Sequence, residues 1–132
     1  MDFSSLVLIE RDKETNDIIR ELGSYEIADG AEYITKLYYD GDYINLFFDT
    51  KNDVEEWEYS AIFDLFDISE FQESGFEVID IDDEYNPTWL IKFEFDENYI
   101  VIKEKLCMIC ELIKRNLEKV FVEIKGKKEE YA

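Results

Sequence analysis

Through most of the first 95 residues, apolar and polar positions alternate in short runs. From residue 98 onward they recur every three or four. The first period belongs to strands and the second to helices. Residues 6–9 and 17–27 predict two strands, joined by the polar cluster Asp12-Lys13-Glu14-Thr15-Asn16. Gly23-Ser24 interrupts the second and marks a bulge. After Asp29-Gly30 turns the chain, residues 31–50 predict a hairpin about Asp40-Gly41. A two-residue turn there sets Tyr39 opposite Asp42, Leu37 opposite Ile44, Thr35 opposite Leu46 and Tyr33 opposite Phe48. One face then reads Tyr33, Thr35, Leu37, Ile44, Leu46 and Phe48, and belongs in a core. The other reads Glu32, Ile34, Lys36, Tyr38, Tyr43, Asn45, Phe47 and Asp49, and is mixed.

Segment 53–68 fits both periods. Trp57, Tyr59, Ala61, Phe63 and Leu65 alternate, while Val54, Trp57, Ala61, Leu65 and Ile68 follow helical spacing. The helix is preferred because Asp53 and Glu56 are spaced as N-cap and third position of a capping box, and acids suit the positive end of the dipole. A further turn over 69–74 ends at Gly75. Residues 76–81 and 88–95 predict another hairpin around the loop Asp82-Asp83-Glu84-Tyr85-Asn86-Pro87. Ile102, Leu106, Ile109, Ile113, Leu117, Val120 and Ile124 form the apolar stripe of a long terminal helix, widened by Cys110 and Phe121. Glu111 with Arg115, and Glu123 with Lys127, have i,i+4 spacing. The expected fold is α+β: a mainly antiparallel sheet of about six strands, with a middle helix and a long C-terminal amphipathic helix packed on one face. One domain spans 1–125, and past Gly126 a charged tail, 126–132, is expected to fray.

Composition changes the picture chiefly through charge. Of 132 residues, 34 are acidic and 14 basic, for a net charge of −20. Residues 1–102 carry −22 and residues 103–132 carry +2. Such a field repels nucleic acid and anionic lipid and attracts cationic proteins. If the terminal helix packs on the sheet, the opposite surface is expected to be nearly purely anionic. At 46% apolar the chain is too hydrophobic for a disordered acidic tail. Asp2 directly after Met1 offers no basic leader region, and no apolar run approaches the length of a membrane span, so a cytoplasmic protein is expected.

Candidate chemistry is sparse. Without histidine there is neither a Ser-His or Cys-His nucleophile nor a His-containing metal site, and no glycine-rich phosphate loop occurs. Cys107 and Cys110 form C-x-x-C, but inside the predicted helix rather than at its N-terminus, so both read as small buried hydrophobes. Asp80, Asp82, Asp83, Glu84 and Asn86 concentrate oxygen ligands, yet Tyr85 stands where an EF-hand loop needs glycine, so a solvated loop is the better reading. Trp57 and Trp89 read as core or core edge. No cofactor, metal site or catalytic residue is expected. The residues expected to bind a partner are Glu55, Glu56, Trp57, Glu58, Tyr59, Asp64, Asp67, Glu70 and Glu73, clustered on and after the middle helix. The expected function is a non-catalytic interaction domain docking a basic protein, in the manner of nucleic-acid mimics, inhibitors and immunity or antitoxin proteins. The alternatives are an accessory domain whose charge serves only solubility, and a weak divalent-cation binder.

Overall fold

The computed structural model describes residues 4–27 and 29–131. Strands β1 (Ser4–Arg11), β2 (Ile18–Ile27), β3 (Ile34–Tyr39), β4 (Ile44–Asp49), β5 (Glu77–Ile81) and β6 (Thr88–Phe93) form one sheet, ordered β2-β1-β3-β4-β6-β5. Helices α1 (Glu56–Leu65) and α2 (Ser69–Glu73) lie between β4 and β5 in sequence, and α3 (Tyr99–Glu123) and α4 (Lys128–Tyr131) follow β6. The fold is α+β, as the alternating and helical periods predict. Every ladder is antiparallel except β1–β3, which is parallel and pairs through Ile9↔Tyr38 and Glu10↔Tyr39. A short 3-10 turn, Ala31–Tyr33, carries the chain from the edge strand β2 to the far side of β1.

The core lies between one sheet face and the helices. The sheet supplies Leu8, Tyr25, Ile27, Ile44, Leu46, Phe48, Trp89, Ile91 and Phe93. From α3 come six residues of the predicted stripe, together with Cys110 and Leu112, and the seventh, Ile124, is its C-cap. Phe48, Phe66, Phe71 and Trp89 form an aromatic cluster joining α1 and α2 to the sheet, with Phe66 and Trp89 centroids 4.3 Å apart. Each fully buried side chain of this size stabilises the fold by about 1.5–3 kcal/mol, so this cluster anchors the middle helices. Asn98 caps α3, its side chain accepting from the Ile100 N–H at 3.0 Å.

Several local expectations are corrected. The β3–β4 register is Tyr39↔Ile44, Tyr38↔Asn45 and Leu37↔Leu46, not the one a two-residue turn dictates. Asp40 is the reason. Its Oδ1 accepts from the N–H groups of Asp42 and Tyr43, and its Oδ2 from the Asn45 amide, which lengthens the turn by two residues. A shift of two preserves the faces. The bulge after Ile34 leaves Thr35 as the unpaired residue, so Ile34 pairs with Phe48 and packs on the core while Thr35 is exposed. The helix cap also moves by two. Glu55 is the N-cap of α1, and its N–H donates to Glu58 Oε1 at 2.8 Å, in place of the Asp53–Glu56 pair. Arg115 pairs with Glu70 rather than Glu111, and Glu123 with Lys119 rather than Lys127. Beyond Gly126, α4 lies against α1, with the Tyr131 hydroxyl donating to Asp64 and its ring against the core.

Candidate interaction surface

The middle helix and the β5–β6 loop are separate acidic segments in the sequence, and the fold brings them together. The Tyr59 hydroxyl on α1 donates to the Glu84 carbonyl at 2.9 Å, and the Asn86 amide donates to Asp53 Oδ1 at 3.3 Å. These bonds hold Asp82, Asp83 and Glu84 alongside the first turn of α1. Burial, and then the charges of Asp82, Asp83 and Glu84, push the Tyr59 phenol above its ordinary value. Among the described residues, none of Glu55, Glu56, Glu58, Asp82, Asp83 and Glu84 forms a salt bridge. Trp57 lies half-buried at the flank, its indole N–H donating to Glu55 Oε2 at 2.6 Å.

The nine expected partner-binding residues therefore divide. Glu55, Glu56, Trp57, Glu58 and Tyr59 join the loop carboxylates in one ridge. Asp64, Asp67 and Glu70 are each engaged elsewhere: with Tyr131, with the Ser69 N–H and with Arg115. Glu73 is exposed at the end of α2. Within the ridge, Glu55 and Glu58 are partly committed to the cap, which leaves Glu56, Asp82, Asp83 and Glu84 as the exposed carboxylates with no side-chain partner among the described residues.

A second surface departs from expectation. The sheet face opposite the helices is not purely anionic. Ile9, Tyr38, Phe47, Leu90 and Ile79 occupy its centre, with Arg11, Lys36 and Lys92 among them. A groove of ≈ 430 Å³ lies on its β1–β3–β4 part, lined in part by Ile9, Arg11, Lys36, Tyr38 and Phe47. Arg11 lies 6.0 Å from the Tyr38 ring centre and Lys36 5.4 Å from that of Phe47, each within cation–π range. The signal was in the alternation: Lys36, Tyr38 and Phe47 are the outward positions of the hairpin. Net charge, an average over the whole chain, conceals it.

The thiols also separate. Cys110 is buried, and burial pushes its thiol up to about 12, whereas Cys107 is exposed on the outer face of α3, not buried as expected. Among the described residues, no three Cys, Asp or Glu side chains are grouped so as to hold a metal ion, and no helix is long and apolar enough to cross a membrane. Neither the curated proteins nor the solved structures include a match to this chain. A family profile does match, over residues 1–132, and the chain belongs to that family, DUF6762, a family of unknown function.

Proposed function

We propose that this chain is a non-catalytic interaction domain whose acidic ridge docks a basic partner. The observation that carries the reading is the Tyr59–Glu84 bond. It aligns two acidic segments and leaves Glu56, Asp82 and Asp83 exposed without cations. Neutralising those charges at contact, with Trp57 as a half-buried aromatic anchor, would supply steering and part of the affinity. Occupying the cationic groove of a nucleic-acid enzyme or nuclease toxin fits the same physics.

The test begins with a pull-down eluted in salt steps, followed by kinetics on the partner identified. A net-positive partner should leave as salt rises. The triple variant Glu56→Lys, Asp82→Lys, Asp83→Lys should slow association about tenfold or more while changing dissociation less. It spares Glu55 and Glu58, whose carboxylates serve the helix cap. A net-acidic partner, or an association rate indifferent to both salt and the triple variant, refutes the reading.

A further inference from the structure

The open sheet face supports a separate inference, which shares only the loop residue Glu84 with the acidic ridge. Two rows of side chains cross it, each neighbour a register partner in the adjacent strand. One row runs Lys36, Phe47, Leu90, Ile79, and the next Ile9, Tyr38, Asn45, Lys92, Glu77. Leu90 and Asn45 are already buried within the single chain, and Ile9, Tyr38, Phe47 and Ile79 are half-buried, so the accessible centre of this face is mostly apolar, and the helix-packed core lies on the other side of the sheet. Charge on this face is also ordered. Arg11 and Lys36 lie on the β1–β3 side with no carboxylate partner among the described residues, in a chain with 34 acids for 14 bases. Glu77 and the loop residue Glu84 lie on the β6–β5 side, where Lys92 offsets Glu77 in part, while Asp49 stands on the central strand β4. Glu21 and Glu26 lie farther out, on the edge strand β2.

We infer that this face is the contact surface of a symmetric dimer, occupied by a second copy of the same chain. A two-fold axis running along the strands near β4 lays β1 and β3 of one copy over β5 and β6 of the other. That operation superposes the apolar centres and brings the cationic side of each copy to the anionic side of its mate, which is the self-complementarity an isologous interface requires. A uniformly charged occupant, whether nucleic acid or a basic protein, would meet like charge on one half. β2 falls outside the overlap. Five strands at roughly 4.8 Å spacing and about six residues in length give on the order of 500 Å² in projection. Surface roughness and the rim loops bring this toward the ~800 Å² of accessible surface per partner in a stable complex. The association is therefore modest in strength, and it works against repulsion between two chains of −20 each.

That repulsion gives the dimer a signature opposite to the docking of a basic partner: it tightens as salt rises. Sedimentation equilibrium of the full chain, between about 0.01 M and about 1 M salt, shortens the Debye length from about 30 to about 3 Å. A monomer–dimer equilibrium should appear and shift toward dimer at high salt. Arg11→Glu and Glu77→Arg should each weaken dimerisation about threefold to tenfold, and the two together should restore it, because the swapped charges face each other again. Circular dichroism verifies that the variants keep the fold. A chain that stays monomeric at both salt concentrations overturns the inference. So does a dimer that neither reversal changes, or a double variant weaker than either single one.

Discussion

Gly30 sits where the chain leaves β2 and passes under α3. Its φ of +93° is a conformation that L side chains rarely adopt, and a Cβ there would lie 2.2 Å from the Cys110 carbonyl oxygen. Gly30→Ala should cost at least about 2–4 kcal/mol, because left-handed strain adds to a clash with backbone that cannot swing aside. Chemical denaturation would measure it, and a loss of only about 0.5 kcal/mol, the ordinary size of a surface substitution, would mean that α3 does not seat there. Asn116 poses the opposite problem. It is 2% exposed, its amide N–H donates to the Leu112 carbonyl at 2.9 Å, and its Oδ1 has no partner. Flipping the amide would only strand its nitrogen instead. Asn116→Leu, of similar volume, should therefore raise stability by about 1 kcal/mol, seen as a higher melting temperature. At the thiols, Cys107 should react with a maleimide in the native protein and Cys110 only on unfolding, as mass spectrometry of the labelled peptides would show.

At the scale of elements, α3 was the most legible part of the sequence. All seven residues of its three-and-four stripe are buried. Ile113→Asp should place an unpaired charge in the core and cost several kcal/mol, while Met108→Asp, on the exposed face, should leave the melting temperature nearly unchanged. Equal effects from the two would mean the helix is rotated from its described face. The hairpin faces near the turn were legible too, because parity survives a shift of two residues. Its register was not: Asp40 chose the turn with its side chain, and dipeptide statistics do not report which oxygen a carboxylate will offer to which N–H. The cap of α1 was missed for a related reason. Asp53–Glu56 and Glu55–Glu58 have the same spacing, so spacing alone does not select between them. As for the candidate sites, the acidic content of α1 was readable. Its junction with residues 82–84 was not, since that depends on one Tyr59 contact 25 residues away in sequence.

At the scale of the molecule, the unneutralised acids should make stability rise with salt, as screening relieves repulsion within each chain. The dependence on pH has a local component with a definite sign. Burial alone would raise the Asp40 carboxyl, but the Tyr43 and Asp42 N–H groups and the Asn45 amide outweigh it and hold it below its ordinary value. A depressed folded-state pKa contributes stability that is fully present above the unfolded value, about 4 for Asp, and is lost as pH falls through the folded value. The gap in melting temperature between the parent chain and Asp40→Ala should thus be widest near neutrality and close in acid. A gap that widens in acid would refute this role for the turn. The sheet itself has a weak line. The β1–β2 hairpin meets the other four strands through two parallel register pairs, while Tyr99 of α3 stacks on Tyr25 at 4.7 Å and donates to the Ser24 carbonyl at 2.8 Å. The hairpin is thus clasped from behind by a helix as well as stitched into the sheet by a short parallel ladder. Its amides should exchange with deuterium through a local opening that leaves β4 and β6 closed, and Tyr99→Ala should loosen that opening without lowering protection in the other four strands.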